Sequence, residues 1–195
     1  MTWFLSEDIY TDNTESYAWV EDAWTDEDIQ KIIDLGLSLE EQPGTVNAEA
    51  ENVDGKVRKS KVSWITPTPD SEWLFRRLVD LIKHINGEFF HFDLVGMLES
   101  LQFTMYRGEG SHYRKHTDKV MNSNARKLSL VVQLSDPEDY EGGDLEIYTG
   151  HEPLVVQKKK GMTAFFPSYQ LHGVTPVTKG TRYSLVVWVH GPAFR

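Results

Sequence analysis

"TRYSLVVWVH", Thr181–His190, is the most apolar strand-like run in the chain, and it alternates with a period of two. Arg182, Ser184, Val186, Trp188 and His190 share one face; Tyr183, Leu185, Val187 and Val189 share the other. Residues i and i+2 of a strand point to the same side of a sheet. The run therefore reads as a strand with one wholly apolar face and one face that carries an arginine. The same period recurs upstream. "LQFTMY" (101–106) sets Leu101, Phe103 and Met105 against Gln102, Thr104 and Tyr106. "RKLSLVVQLS" (126–135) sets Leu128, Leu130, Val132 and Leu134 against Ser129, Val131 and Gln133. "DLEIY" (144–148), "LVVQ" (154–157) and "MTAFF" (162–166) add further strands. Turn signals separate them at Gly108-Glu109-Gly110, Asp136-Pro137, Gly142-Gly143, Gly150 and Gly173. Many short strands at such intervals predict a sandwich or jelly roll.

The first half of the chain is mixed. Thr25-Asp26-Glu27-Asp28 has the pattern of a capping box, and Ile29, Ile32, Ile33 and Leu37 follow at helical spacing until Pro43-Gly44. A second helix is predicted from Asp70 or Ser71, with Leu74, Leu78, Leu81, Ile82 and Ile85 as its apolar stripe and Gly87 as its stop. "VRKSKVSWIT" (57–66) reads as a strand between the helices. The helices are expected to pack on one outer face of the β-structure. The fold class is thus mainly β with supporting helices. The chain is read as one domain over 1–195, with 1–95 as helix-rich support plus first strands and 96–192 as the core.

Composition narrows the function classes. Six Trp and 39% hydrophobic residues in 195 argue for a packed core and against disorder. The absence of cysteine excludes disulfides, thiolate metal sites and cysteine nucleophiles. A formal net charge of −10 disfavours nucleic acid and anionic membrane as partners. The opening residues show neither a basic leader nor a long apolar run, so a cytoplasmic location is expected. Two basic clusters, Arg58-Lys59-Ser60-Lys61 and Lys158-Lys159-Lys160, read as solvated loops or strand edges.

The chemistry starts from "HYRKHTDK" (112–119). His-x-Asp occurs twice, as His91-Phe92-Asp93 and His116-Thr117-Asp118, so the motif alone decides nothing. On an extended segment His116 and Asp118 point the same way and can share a cation. His172, after the strand "MTAFF", is the candidate third ligand. Two histidines and a carboxylate leave coordination positions open, which suits non-haem Fe(II) and O2 chemistry. Zinc accepts the same set, although the helical H-E-x-x-H pattern is absent. Arg182, in an otherwise apolar strand, needs an anion, because an unpaired buried charge is costly. That anion is either a protein carboxylate or the carboxylate of a ligand, which a guanidinium holds bidentately.

The run Tyr106-x3-Gly110-x2-Tyr113-x2-His116-x-Asp118 resembles the motif of 2-oxoglutarate- and Fe(II)-dependent dioxygenases, in particular the prolyl 4-hydroxylase-like branch. "ARKLSLVVQLS", "DYEGGDLEIY", "KKGMTAFFPSYQLHGVTPV" and "KGTRYSLVVWV" fit in the same order, so the resemblance covers roughly residues 90–192. It implies a double-stranded β-helix, with Fe(II) held by His116, Asp118 and His172. It further implies 2-oxoglutarate with its distal carboxylate on Arg182, and O2 as the second co-substrate, with ascorbate admitted as a reductant. Tyr106 matches a tyrosine that reaches the co-substrate. Gln133 stands where related enzymes often carry a tyrosine. Leu145 would pack against the co-substrate chain, and Ser184 would add a hydrogen bond. The implied reaction is hydroxylation of an unactivated C–H, first of a prolyl residue in a protein or peptide, next of a free amino acid or small metabolite. A metal-dependent hydrolase and a non-catalytic jelly-roll binding module stand as readings from other classes. His91, His112 and His151 are read as outside the site, His190 as structural, and Tyr113 as shaping the pocket.

Overall fold

Thr25 opens the first helix as its neighbours predict. Its hydroxyl accepts from the Asp28 N–H at 3.1 Å, and the Asp28 carboxylate accepts from the Thr25 N–H at 3.0 Å. This closed capping box starts α1 (Asp26–Ser38). Ile29 and Ile32 are buried, but the next stripe position is taken by Gly36, while Leu37 is 50% exposed. Helical spacing of apolar side chains does not mark Gly36, which has no side chain to count. A methyl group there would overlap the ring of Phe103, so the helix lies directly on the sheet. Gly36→Ala is expected to destabilise the protein by up to about 2 kcal/mol. Overpacking costs roughly 1–3 kcal/mol and outweighs the gain of about 1 kcal/mol in helix propensity. Urea unfolding measures the sign, and a stabilised variant would show that the Phe103 ring gives way.

The computed structural model describes residues 14–45, 55–119 and 125–193. The opening stretch read for a leader lies almost wholly outside them. The second helix, α2 (Glu72–Ile85), buries Leu74, Leu78, Ile82 and Ile85 as predicted. It does not stop at Gly87. The chain continues as a π-helical turn, Asn86–Phe90, and ends at His91, whose φ of 55° takes the left-handed position. The Asn86 side chain caps this turn, accepting from the Phe92 N–H and donating to the Phe92 carbonyl. These bonds and the buried Phe90 supply what a glycine stop would otherwise provide.

Twelve strands are present among the described residues: β1 (Ala18–Val20), β2 (Gln42–Pro43), β3 (Arg58–Lys59), β4 (Lys61–Ile65), β5 (Leu101–Arg107), β6 (Ser111–His116), β7 (Ala125–Gln133), β8 (Tyr140–Gly142), β9 (Leu145–Ile147), β10 (Leu154–Val155), β11 (Thr163–Pro167) and β12 (His172–Gly191). The major sheet runs β1-β11-β7-β12-β5-β4-β2, and every pairing is antiparallel. In the minor sheet β6 and β9 flank the first half of β12, β3 extends β6, β10 extends β9, and β8 pairs further along β12. The segments "LHGVTPV" and "TRYSLVVWVH" are therefore one strand of 20 residues. It crosses from one sheet to the other through bulges and through Gly180, at φ 71°.

The alternation read from the sequence assigns the faces. Leu101, Phe103, Met105, Leu128, Leu130, Val132, Leu134, Leu185, Val187 and Val189 join the buried stripes of α1 and α2 in one core cluster. The opposite face of the major sheet looks into the space between the sheets. Leu145, Ile147, Val131, Ala164 and Phe166 form a second cluster on that side.

Candidate active site

Cross-strand register builds the site. His116, at the end of β6, pairs directly with His172, at the start of β12. Asp118 follows two residues on, buried at 6% exposure. One donor atom from each of the three lies within 4.8 Å of the others. His116 Nε2 is 3.6 Å from Asp118 Oδ1, and His172 Nε2 is 3.4 Å from Asp118 Oδ2. Two donors at right angles about a cation, each about 2.1 Å away, lie about 3 Å apart, so these separations fit one shared ion.

The ring tautomers fit as well. His116 Nδ1 lies 2.8 Å from the Arg114 carbonyl, and His172 Nδ1 lies 2.9 Å from the Gln170 carbonyl. A carbonyl only accepts, so both Nδ1 atoms carry the proton and both Nε2 lone pairs are free for a metal. Burial pushes the Asp118 carboxyl up, but His172, His116 and the Ser129 hydroxyl outweigh it and hold the group below the usual carboxylate range. Burial likewise pushes the His172 imidazole down, favouring the neutral ring that a metal needs.

The serine that orients Asp118 was not singled out from the sequence. Ser129 Oγ donates to Asp118 Oδ2 at 2.7 Å and lies 3.0 Å from Ser168 Oγ. Its signal was present: Ser129 shares a face of β7 with Gln133, four residues on. Ser129→Ala is expected to weaken metal binding about 10-fold, since outer partners of metal ligands are typically worth 10–100-fold. Competition with a chelator measures this, and an unchanged affinity would show that the carboxylate orients itself.

Arg182 sits at the far end of the same face, at 1% exposure. Its Nη2 donates to Gln133 Oε1 at 2.7 Å, its Nη1 lies 3.4 Å from Ser184 Oγ, and its guanidinium lies over the Tyr106 ring at 5.3 Å. The last contact follows from register, because Arg182 and Tyr106 are cross-strand partners. Among the described residues no carboxylate pairs with Arg182. Its Nε and the Nε2 of Gln133 are buried donors without a partner. Leu145 is buried on the neighbouring wall. Gly142 and Gly143 both have positive φ, at 73° and 65°, and a methyl on Gly143 would stand 3.0 Å from Arg182 Cδ. The double glycine is thus a turn, and it also leaves room for the arginine.

Further along this face, Trp188 and His190 carry a second cluster. Glu99 accepts from His190 Nε2 at 2.8 Å and from both Nε and Nη2 of Arg126, and the Arg126 guanidinium lies 3.8 Å over Trp188. Burial pushes the Glu99 carboxyl up, but the hydrogen bonds and charges of Arg126 and His190 outweigh it and hold it ionised. A bulge at Val189/His190 turns Arg126 to this side, which alternation alone could not indicate. Trp64, 36% exposed, approaches Trp188 at 6.3 Å between ring centroids.

The decoy His91-Phe92-Asp93 lies outside the site, with His91 exposed at the end of the π-turn. His112 is tied to the carbonyls of Gly110 and Lys56. His151 is solvent-facing beside Glu152. Of the two basic clusters, Arg58 alone departs from the solvated reading: it is buried over the Tyr113 ring, while Lys59 is exposed on the short edge strand β3. Lys158 pairs with Asp144, Lys159 with Glu21 and Asp22, and Lys160 with Asp26.

Fold and site together define a jelly-roll protein with a two-histidine, one-carboxylate centre and a buried arginine at the other end of its pocket. Residues 101–190 match the family described as the 2OG-Fe(II) oxygenase superfamily. A PKHD-type hydroxylase of Klebsiella pneumoniae is 31% identical over 156 residues, covering 73% of this chain and 69% of the relative. A PKHD-type hydroxylase of Teredinibacter turnerae is 37% identical over 94 residues, covering 45% of this chain and 41% of the relative. The latter alignment thus spans about two-fifths of that protein. The prolyl hydroxylase of Trichoplax adhaerens, solved in complex with a hypoxia inducible factor oxygen degradation domain peptide fragment, shares the fold. Its TM-score is 0.75 at 21% identity, over 92% of this chain and 85% of that one. The chain belongs to the 2OG-Fe(II) oxygenase superfamily, among its prolyl hydroxylase-like members. Membership implies Fe(II), 2-oxoglutarate and O2, and the His-Asp-His cluster and the unpaired arginine fit the first two. Among the described residues no helix is long and apolar enough to cross a membrane.

Proposed function

We propose that the protein is a 2-oxoglutarate-dependent dioxygenase that hydroxylates an unactivated C–H bond of a prolyl residue in a protein or peptide. The observation that carries this reading is the buried Arg182, which has no carboxylate partner among the described residues and lies on the same strand as His172. A structural salt bridge would have brought its own acid, whereas a site for a dicarboxylate leaves the guanidinium to the ligand.

In this reading His116, Asp118 and His172 hold the iron, with Ser129 orienting the carboxylate. Arg182 binds the distal carboxylate of 2-oxoglutarate. The unpaired Nε2 of Gln133 offers that carboxylate a second donor, Ser184 and Tyr106 brace the guanidinium, and Leu145 walls the carbon chain. Held there, Fe(II) would supply the oxidation, one oxygen atom of O2 going into succinate as 2-oxoglutarate loses CO2 and the other into the substrate C–H bond. The chain's own tasks are orientation and exclusion of water. The exposed ring of Trp64, packed on the buried Trp188, supports a peptide with a compact apolar ring. The relatives' hydroxylase names support the hydroxylation itself. We also take the chain, 1–195, as one oxygenase domain acting in the cytoplasm; the pairing of β1 with β11 supports the first part.

The test is mass spectrometry of host-cell proteins and candidate peptides after incubation with Fe(II), 2-oxoglutarate and ascorbate. A gain of one oxygen atom on a prolyl residue is expected. A gain confined to free amino acids or metabolites would replace the peptide reading by the small-molecule one. Iron binding without any turnover of 2-oxoglutarate would overturn the oxygenase reading.

A further inference from the structure

We propose that Arg58 is a positioning residue for the metal centre, which it serves by clamping the Tyr113 ring against His116. The inference deepens the oxygenase reading, on which it rests in taking His116 as a ligand. Arg58 and Tyr113 are direct cross-strand partners, and β3 is a two-residue strand whose pairing is with β6. The guanidinium lies 4.6 Å from the Tyr113 centroid. The Tyr113 and His116 rings are stacked, with centroids 3.5 Å apart and planes at 17°. Tyr113 thus touches both the guanidinium and the imidazole.

The arginine has its own seat. Its Nε donates to Ser60 Oγ at 2.8 Å, and its Nη1 lies 3.4 Å from the Thr45 carbonyl. Gly44 makes the seat possible, since a methyl there would stand 2.6 Å from Arg58 Nε and would overlap Ser60 Oγ. The result is a charged side chain at 7% exposure with no ion pair among the described residues. Such burial of a charge needs a role, and the face of an aromatic ring is the partner it has found.

His116 is the ligand that needs this help. It is the last residue of β6, so the ladder beyond it gives no support. Its side chain is 15% exposed, against 7% for Asp118 and 6% for His172. One hydrogen bond to the Arg114 carbonyl leaves the imidazole free to swing about that bond. The stack removes that freedom, and Arg58 prevents Tyr113 from yielding.

The experiment is the release of Fe(II) to a chelator without O2, together with the charge-transfer absorption of the Fe(II)–2-oxoglutarate complex, on the full chain. Arg58→Ala is expected to speed iron release about 10-fold and to shift the absorption band. Gly44→Ala, which keeps Arg58 but closes its seat, is expected to do the same. Lys59→Ala, which removes the exposed lysine beside Arg58 on the same two-residue strand, should stay within about twofold of the parent protein. Unchanged release and spectrum in both Arg58→Ala and Gly44→Ala would overturn the clamp while leaving the oxygenase reading intact. If Arg58→Ala fails to fold, Gly44→Ala decides alone. A parent protein that binds no Fe(II) would overturn the oxygenase reading and the clamp together.

Discussion

Replacing His116 or Asp118 by alanine is expected to abolish the slow release of succinate that Fe(II) and 2-oxoglutarate give without substrate. Each residue offers one of three clustered donors held by named partners: His116 by the Arg114 carbonyl and the Tyr113 ring together, Asp118 by Ser129. Removing either leaves two protein ligands and a cavity in their place. Asp118→Ala also removes the negative charge that the two imidazoles face at 3.6 and 3.4 Å. Metal content and succinate are measured together, and the two should fall together. A His116→Ala protein that keeps both would show that the metal sits elsewhere. Asp118→Asn tests the charge separately. The amide keeps the shape and one acceptor but not the charge, so metal loss should approach that of Asp118→Ala.

The second large effect is at Arg182. Arg182→Met is expected to weaken 2-oxoglutarate binding about 100-fold while iron binding changes little. Removing one partner of a buried charge pair costs about 2–5 kcal/mol, and 1.4 kcal/mol is a factor of ten. Thermal unfolding gives an independent readout. At roughly 100 times Kd the co-substrate should stabilise the parent protein by about 2.7 kcal/mol, and the variant should show no such gain. The variant without ligand is expected to lose no more than about 1 kcal/mol. The lost hydrogen bond to Gln133 is offset by removing a buried charge that no acid among the described residues balances. Equal losses of iron and 2-oxoglutarate binding would instead assign Arg182 a structural role.

Much of the site was legible because strands have a period of two. Once Arg182, Ser184, Trp188 and His190 were placed on one face of a strand, and Ser129 and Gln133 on one face of another, the inner wall of the pocket was largely drawn. What alternation could not supply was any device that breaks it. The bulge at Val189/His190 brings Arg126 to the inner side. The π-turn carries α2 past Gly87. Gly36 acts in the core without a side chain to announce it. Arg58 read as a solvated charge because its run is polar in every direction along the chain. Only the pairing of β3 with β6 puts Tyr113 beneath it.

The sequence by itself determined the local terms: the first helix start, the strand faces away from bulges, the residue types of a candidate metal centre and an arginine with no acid near it along the strand. These follow from short-range chemistry, in which spacing along the chain equals position in space. The tertiary structure decided which distant residues meet. His116 and His172 are 56 positions apart in sequence yet directly opposed in register, and only the folded pocket shows that, among the described residues, no acid stands beside Arg182. The physical reason is that antiparallel pairing joins positions at any sequence separation. Burial then makes each such meeting costly unless the groups complement one another or await a ligand.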